Sequence, residues 1–541
     1  MTMKPNRRGR PMDRRLRLRG LLETTSPLHV GGIAADPAEV LPVAVDGRER
    51  LYVPGTSLAG AFRAWMEGAD TTGEKLQDFW GFVKENQPNS GRASRVVVRD
   101  APIASRTEEG EDGGPAHPLE VADLGIRDGV GIDRVTGAAA PGFLYARTVV
   151  PPGFYLFLEL DIEVEGGDLE RDRARLAALI AALRDERVRL GASGSKGLGK
   201  VRLLDERLDV REHDFTTRDG LLAFVRDMPE QGVPSDASKA DLPDRREVLT
   251  VELAWRPTAP VMVRDGREGA AVKTLPLTTR VGPDEVALTL PGSSIKGALR
   301  SHAEFVERTA CGVDAPDARG NGTDADDFSR AFRAQLDQLD AVRALFGTAR
   351  TDEASATPNV AGHPEHRWGS AALTVEDCVS TVTLAPSTWE KVVGAAPEEG
   401  DGDNDRPVLD PATRAELAGK GMDQADHVAI DRWTGGAAEH LLFNVLEPHG
   451  VTWRPVRLEI DLTRLGDYRD SALALLLIVL RDMRDGLVPL GGMVTRGFGD
   501  IEVGSVALAG ARWESLDEAL ADGELAVAWE RYWSCSMGET S

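Results

Sequence analysis

A chain of 541 residues is too long for one hydrophobic core, which stops growing beyond roughly 250–300 residues, so two domains are expected. Its formal net charge of -24 at pH 7, taken whole, argues against non-specific nucleic-acid binding, because phosphate attraction supplies most of that affinity. Net charge describes the long-range field, however, and says little about one groove. Cys311, Cys378 and Cys535 stand far apart in no ligand spacing, which excludes a disulfide framework or a zinc knuckle and points to a reducing cytoplasm.

The N-terminus carries Lys4, Arg7, Arg8, Arg10, Arg14, Arg15, Arg17 and Arg19 with no apolar segment behind them. It therefore reads as a flexible arm touching polyanion or a solvated tail, and not as a secretory signal. An opening strand follows at Leu16–Thr25, and a long connection leads to Tyr52-Val53-Pro54-Gly55-Thr56-Ser57-Leu58-Ala59-Gly60-Ala61-Phe62-Arg63. That turn and its helix, Leu58–Glu67, return as Leu290-Pro291-Gly292-Ser293-Ser294-Ile295-Lys296-Gly297-Ala298-Leu299-Arg300, with a helix at Ile295–Val306. Strands are expected at Ser94–Asp100 and Phe154–Val164, and again at Ala371–Glu376 and Val456–Leu462. Between them, Ile132-Asp133-Arg134-Val135-Thr136-Gly137 returns as Ile430-Asp431-Arg432-Trp433-Thr434-Gly435. Apolar helices at Leu169–Arg184 and Ala472–Arg484 enter the glycine-rich loops Gly191–Gly199 and Gly491–Gly499, and last strands at Lys200–Leu204 and Asp500–Val503 close each copy. The run Ala472–Leu480 falls short of the ~20 residues of a membrane span.

Motifs recurring in one order, far apart, mark a duplicated domain. The element order, strand, helix, strands, helix, strand, is that of an α+β ferredoxin-like unit with an antiparallel sheet. The expected division is 1–227, a polar proline-bearing linker at 228–247, and 248–541, whose extra residues at 311–330 and 351–366 are turn-rich and acidic.

The glycine-rich loops follow helices and precede strands, the reverse of a dinucleotide or P-loop site, so no nucleotide cofactor is expected. Their glycines suit a helix end and tight turn, while Lys196 and Arg496, in equivalent places, could hold an anion. The Pro-Gly turns are the stronger anion candidates. There free N–H groups, the helix dipole and the hydroxyls of Thr56, Ser57, Ser293 and Ser294 converge, with Arg63, Lys296 and Arg300 one and two helical turns on. Ser57 and Ser294 are also expected to N-cap the helices. His363 and His366 lack a third ligand and make a poor metal site. Trp513, Trp529 and Trp533 read as a cap on the core or a dock for a neighbour, and not as a base-stacking platform.

These loops, the Pro-Gly-Ser-Ser-x-Lys-Gly turn at 291–297, Leu345-Phe346-Gly347 with its counterpart Phe79-Trp80-Gly81, and the Ile-Asp-Arg-x-Thr-Gly segments resemble the RAMP superfamily. More narrowly, they are similar to the backbone subunit of type III CRISPR effector complexes. The resemblance implies two modified RRM-like folds along a guide RNA, with thumb hairpins at 123–150 and 421–447 carrying Arg134 and Arg432. It also implies guide RNA, target RNA and other type III effector subunits as partners, a cytoplasmic location and no membrane. Cleaving relatives place an aspartate two residues before a proline in the loop after the opening strand. Aligned on Pro42 and Pro276, this chain has Val40 and Thr274 there, neither of which serves as a base or holds a metal. The resemblance thus implies a scaffold without strong cleavage and without cofactor. The alternative is a metal-dependent endoribonuclease cutting target RNA with Mg²⁺ through Asp36 or Asp265, and a third reading is guide processing with His29 or His302 as base.

Overall fold

The opening strand β1 (Arg14–Thr24) alternates leucine with arginine, and Leu16 and Leu18 are fully buried. Each such leucine is worth about 1.5–3 kcal/mol relative to exposure. On the other face the arginines meet acids of the antiparallel strand β4 (Tyr155–Val164), where Arg15, Arg17 and Arg19 stand opposite Glu163, Asp161 and Glu159. The Arg17 guanidinium donates to both carboxylate oxygens of Asp161, at 2.8 and 3.1 Å. This corrects the reading of the basic terminus: Arg14 to Arg19 form a core strand whose charge is neutralised across the sheet. Lys4 to Arg10 lie outside the described residues.

The computed structural model describes residues 12–32, 40–69, 73–83, 91–111, 113–226, 246–282, 284–315, 331–333, 335–336, 339–348, 371–394 and 409–538. Two compact units result: one holds 1–127, 147–194 and 198–246, the other 128–146, 195–197 and 247–541. The linker at 228–247 up to its last two residues, the insertion at 311–330 from 316 on, and that at 351–366 fall outside the described residues.

In the first unit, helix α1 (Gly55–Ala69) follows the Pro-Gly turn and helix α2 (Leu169–Arg184) follows β4. The sheet runs last strand (Val201–Leu203), β1, β4, then Val96–Val98 and Ala101–Ala104. The strands β2 (Gly125–Ile132) and β3 (Ala139–Val149) pair as a separate hairpin, most of which, 128–146, belongs to the second unit. Leu176, Leu179, Ile180 and Leu183 of α2 enter the same core as Leu16, Leu160 and Ile162.

The second unit repeats this order. Its opening strand β5 (Val248–Pro257) lies between β8 (Val456–Asp461) and the last strand β9 (Ile501–Ala509), with Leu373–Val375 beyond β8. Helices α3 (Gly292–Cys311) and α4 (Arg469–Arg484) correspond to α1 and α2, and a hairpin is built from β6 (Met422–Ile430) and β7 (Ala437–Pro448). Among the described residues the strand pairs of both main sheets are antiparallel, as the ferredoxin-like reading requires. The last strand is continuous in the second unit; in the first, Asp205–Arg207 interrupts it before Asp209–Asp214 resumes pairing with β1.

The tail helix α5 (Gly523–Gly538) packs on α4 and α3. Trp513 is buried with its indole donating to Asp522, and Trp529 stacks on Tyr532, so two of the three tryptophans cap the core as expected. Among the described residues no helix is long and apolar enough to cross a membrane.

Candidate nucleic-acid interface

Both Pro-Gly turns are built alike, and not as the sequence suggested. Each helix begins at the glycine, and its first N–H donates to an aspartate from elsewhere: Gly55 to Asp100 Oδ1 at 2.7 Å, Gly292 to Asp377 Oδ1 at 2.8 Å. Ser57 and Ser294 therefore do not N-cap these helices; they lie inside the first turn, half-buried, while Thr56 and Ser293 are exposed. A Cβ on either glycine would sit 2.2–2.3 Å from the carbonyl oxygen of Val375 or Val98, so only glycine fits. The capping carboxylate also occupies the positive helix end that would otherwise attract a phosphate.

The cations behind these turns face inward. Lys296 is 6% exposed, and its amine donates to the carbonyls of Leu373 (2.6 Å) and Ser195 (3.1 Å). Burial, with Lys196 and Arg300 nearby, lowers its pKa to about 7. Arg300 donates to Gly347 O and Leu336 O and pairs with Glu304. Arg63 repeats this with Gly81 O and Glu67. The aromatic-glycine tripeptides at 79–81 and 345–347 thus mark helix ends closed by an arginine.

The glycine-rich loops are tight turns. Gly191 and Gly491 have φ of 75 and 88°, and a Cβ there would meet the carbonyl oxygen of His29 or Met262 at 2.2 or 2.4 Å. Ala192 N–H and Gly492 N–H bond those same carbonyls. Their cations remain outside: Lys196 and Arg496 are both exposed. Each contacts an aromatic residue at the same place on a hairpin return strand, Lys196 at the hydroxyl and Arg496 over the ring. Lys196 Nζ is 3.3 Å from Tyr145 Oη, and the Arg496 guanidinium lies 5.3 Å from the Phe443 ring centre.

The hairpin tips are also copies. Asp133 Oδ1 accepts from Val135 N and Thr136 N, and Asp431 Oδ1 from Trp433 N and Thr434 N, all at 2.8 Å. The tip arginines differ. Arg134 donates to Glu304 and Ile132 O, whereas Arg432 is exposed beside Trp433, itself 96% exposed. Val428, Ile430, Leu441 and Leu442 are exposed on the same hairpin.

The structure shifts the register proposed for the loop after the opening strand. Gly31 bridges Val43, and Arg264 bridges Pro276; Leu41 bridges Arg147, and Thr274 bridges Val445. Pro276 therefore corresponds to Val43 and not to Pro42, and Thr274 to Leu41. No carboxylate enters either place. Asp36 lies outside the described residues. Asp265 is 6% exposed and its carboxylate holds Arg267 N and the Arg267 guanidinium. Asp128, which the sequence did not single out, faces it, and burial followed by the Asp265 charge raises its pKa.

His29 is buried with Nδ1 2.7 Å from Thr148 O, and burial lowers its pKa. His302 Nε2 pairs with Asp482 between α3 and α4. Among the described residues no group of three or more metal-ligating side chains occurs; His363 and His366 are outside them. One further cluster was not foreseen: Glu447 accepts from His427 (2.7 Å) and His449 (2.6 Å), and His427 stacks on Phe443. The second copy alone has it, since Gly129 and Val149 stand in place of His427 and Glu447.

Tandem ferredoxin-like units, each with a glycine-rich loop after its second helix, define the class. Residues 21–202 and 274–502 match the RAMP superfamily, and the chain belongs to that family. It is similar to the protein named CRISPR system Cms endoribonuclease Csm3 of Methanocaldococcus jannaschii, with 26% identity over 221 residues that cover 37% of this chain and 82% of the relative.

Proposed function

We propose that the chain is a guide-RNA-binding backbone subunit of a type III CRISPR interference complex, holding the guide and its target duplex without strong cleavage. The observation that carries the reading is the repeated pairing of an exposed loop cation with a hairpin aromatic, Lys196 with Tyr145 and Arg496 with Phe443. A cation takes a backbone phosphate and a ring takes a base, which together suit a strand held without sequence readout. The acidic surplus of the whole chain does not oppose this, because the contact is local. Of the cations singled out in the sequence, Lys296, Arg300, Arg63 and Arg134 are engaged in internal bonding, and Lys196, Arg496 and Arg432 remain as candidates for RNA.

The test is recovery. Chain purified from its native host should carry RNA of defined length, read by sequencing the extracted nucleic acid; random fragments or none would overturn the reading. Lys196→Ala and Arg496→Ala should each weaken binding for all sequences alike and reduce the salt slope by roughly 0.7–1.

A second reading, target-RNA cleavage with Mg²⁺, draws on the facing carboxylates of Asp128 and Asp265. Carboxylate oxygens are the donors a hard cation takes, but Asp265 is already held by Arg267. If the chain cuts matched target, Asp128→Asn and Asp265→Asn should each abolish the cut.

A further inference from the structure

The base of the second hairpin carries a group of side chains that the first lacks. His427 and Asp423 of β6 stand opposite Phe443 and Glu447 of β7, and the two-residue period of a strand puts all four on one face. There the Glu447 carboxylate is buried and bonded at both oxygens, by His427 Nε2 at 2.7 Å and His449 Nε2 at 2.6 Å. An ionised carboxylate only accepts, so each imidazole carries its hydrogen on Nε2 and takes any further proton on Nδ1. His427 is half-buried and His449 exposed.

This group adjoins the loop cation. The His427 ring stacks on Phe443, 5.3 Å between centres and 12° between planes, and the Arg496 guanidinium lies 5.3 Å from the same Phe443 centre. Val445, Met262 and Phe498 form the apolar cluster against which Phe443 packs. Asp423, exposed, is the other charge on this face. The helix at Pro411–Gly419, which also packs on β6, carries Arg414 and Glu416, the latter bonded by Thr388, and Lys420 behind it donates to Thr383 O. In the first hairpin Gly129 takes the place of His427, and a Cβ there would sit 2.3 Å from Cζ of Tyr145. Val149 and Pro151 stand in place of Glu447 and His449.

We propose that His427 and His449, when protonated, are ligands of the RNA backbone, so that the second copy holds phosphate through Arg496 and two imidazolium groups in acid but through Arg496 alone in base. This rests on the guide-binding reading and deepens it, making the proton a second ligand of one copy only. With both imidazoles neutral, the group is net negative through Glu447 and repels phosphate. With both protonated it is net positive, and its bonds to Glu447 become charge-assisted. Affinity therefore rises as pH falls through the ordinary imidazole range, roughly pH 6.5, and the gain is largest at low salt.

The experiment uses the full chain freed of nucleic acid and a fluorescent oligouridylate, whose phosphodiesters and uracils do not titrate between pH 5.5 and 8. Anisotropy is read in a salt series at both ends of that range. Binding should be several-fold tighter at pH 5.5, with a salt slope steeper by roughly 0.7–1 per imidazole. The difference should persist in Lys196→Ala and vanish in the double variant His427→Gln, His449→Gln. Calorimetry of the unaltered chain at pH 6.5, in two buffers of different ionisation enthalpy, needs no variant to fold: RNA binding should take up protons. Equal affinity and slope at both pH values, or binding without proton uptake, overturns the proposal, as does a pH dependence that survives the double variant. Absence of oligouridylate binding at any pH or salt overturns the guide-binding reading itself, and this inference with it.

Discussion

Single residues at the turns do work that their types disguise. Asp377 and Asp100 cap α3 and α1 from positions 85 and 45 residues away, so nothing local reveals them. Asp377→Ala should lower stability by about 0.5–2 kcal/mol, and Gly292→Ala by about 1–3 kcal/mol because its Cβ meets a carbonyl; thermal unfolding reads both. Ser294→Ala, by contrast, should leave the melting temperature nearly unchanged, since its hydroxyl is not the cap. Lys296 gives a pH test. Its folded-state pKa of about 7 lies below the ordinary 10.5, so between those values the unfolded chain holds a proton that the folded chain has released. Stability then rises with pH across that window, and the full penalty of the buried charge applies below pH 7. Lys296→Met should remove this slope in urea unfolding at pH 6.5 and 9.5, whatever offset the lost hydrogen bonds add. An identical slope in both proteins would mean that the amine stays charged inside.

At the level of elements, the two copies solve one packing problem by different chemistry. Beneath α2, Arg95 donates to Asp172 at 2.5 and 3.1 Å, Arg175 lies 3.5 Å from the same carboxylate, and both guanidinium groups lie over Phe79. Where α4 aligns with α2, Ala472 and Leu475 replace Asp172 and Arg175. Breaking a buried pair strands a charge, so Arg95→Ala should cost about 3–5 kcal/mol, and adding Asp172→Ala should recover part of that loss. Calorimetry of single and double variants checks this; equal or additive losses would deny the coupling. The element order and strand positions were legible because Leu16, Leu18, Val251 and Leu253 alternate with polar residues, and because α2 and α4 each end a few residues before a glycine-rich loop. Helix starts were not, because serines in a first turn look like caps when the true cap is distant. Site cations were legible as a set but not by role: Lys196 and Lys296 look alike in sequence, and only packing shows one outside and one inside.

At the scale of the whole molecule, the proposed role predicts the fate of a matched target RNA. Phosphodiester cleavage at neutral pH needs a group that holds a metal or takes a proton. In the register set by the bridges to Arg147 and Val445, the corresponding places are Leu41 and Thr274, an isobutyl group and a buried hydroxyl. Thr274 is further fixed by its own backbone, which accepts from Leu446 N and donates to Asn444 O. The assembled protein, given matching target RNA and Mg²⁺, should therefore leave it intact, or cut it far more slowly than active relatives. Installing a carboxylate discriminates between scaffold and weak nuclease. Leu41→Asp and Thr274→Asp should each create a cut at its own site, with the two cuts separated by one repeat of the chain along the guide, visible as end-labelled fragments on a gel. Thr274→Asn serves as the control, having the same shape without the charge, and should stay inactive. If the unmodified chain already cuts at that spacing and Asp265→Asn stops one of the cuts, the chemistry resides in the Asp128–Asp265 pair and the scaffold reading fails.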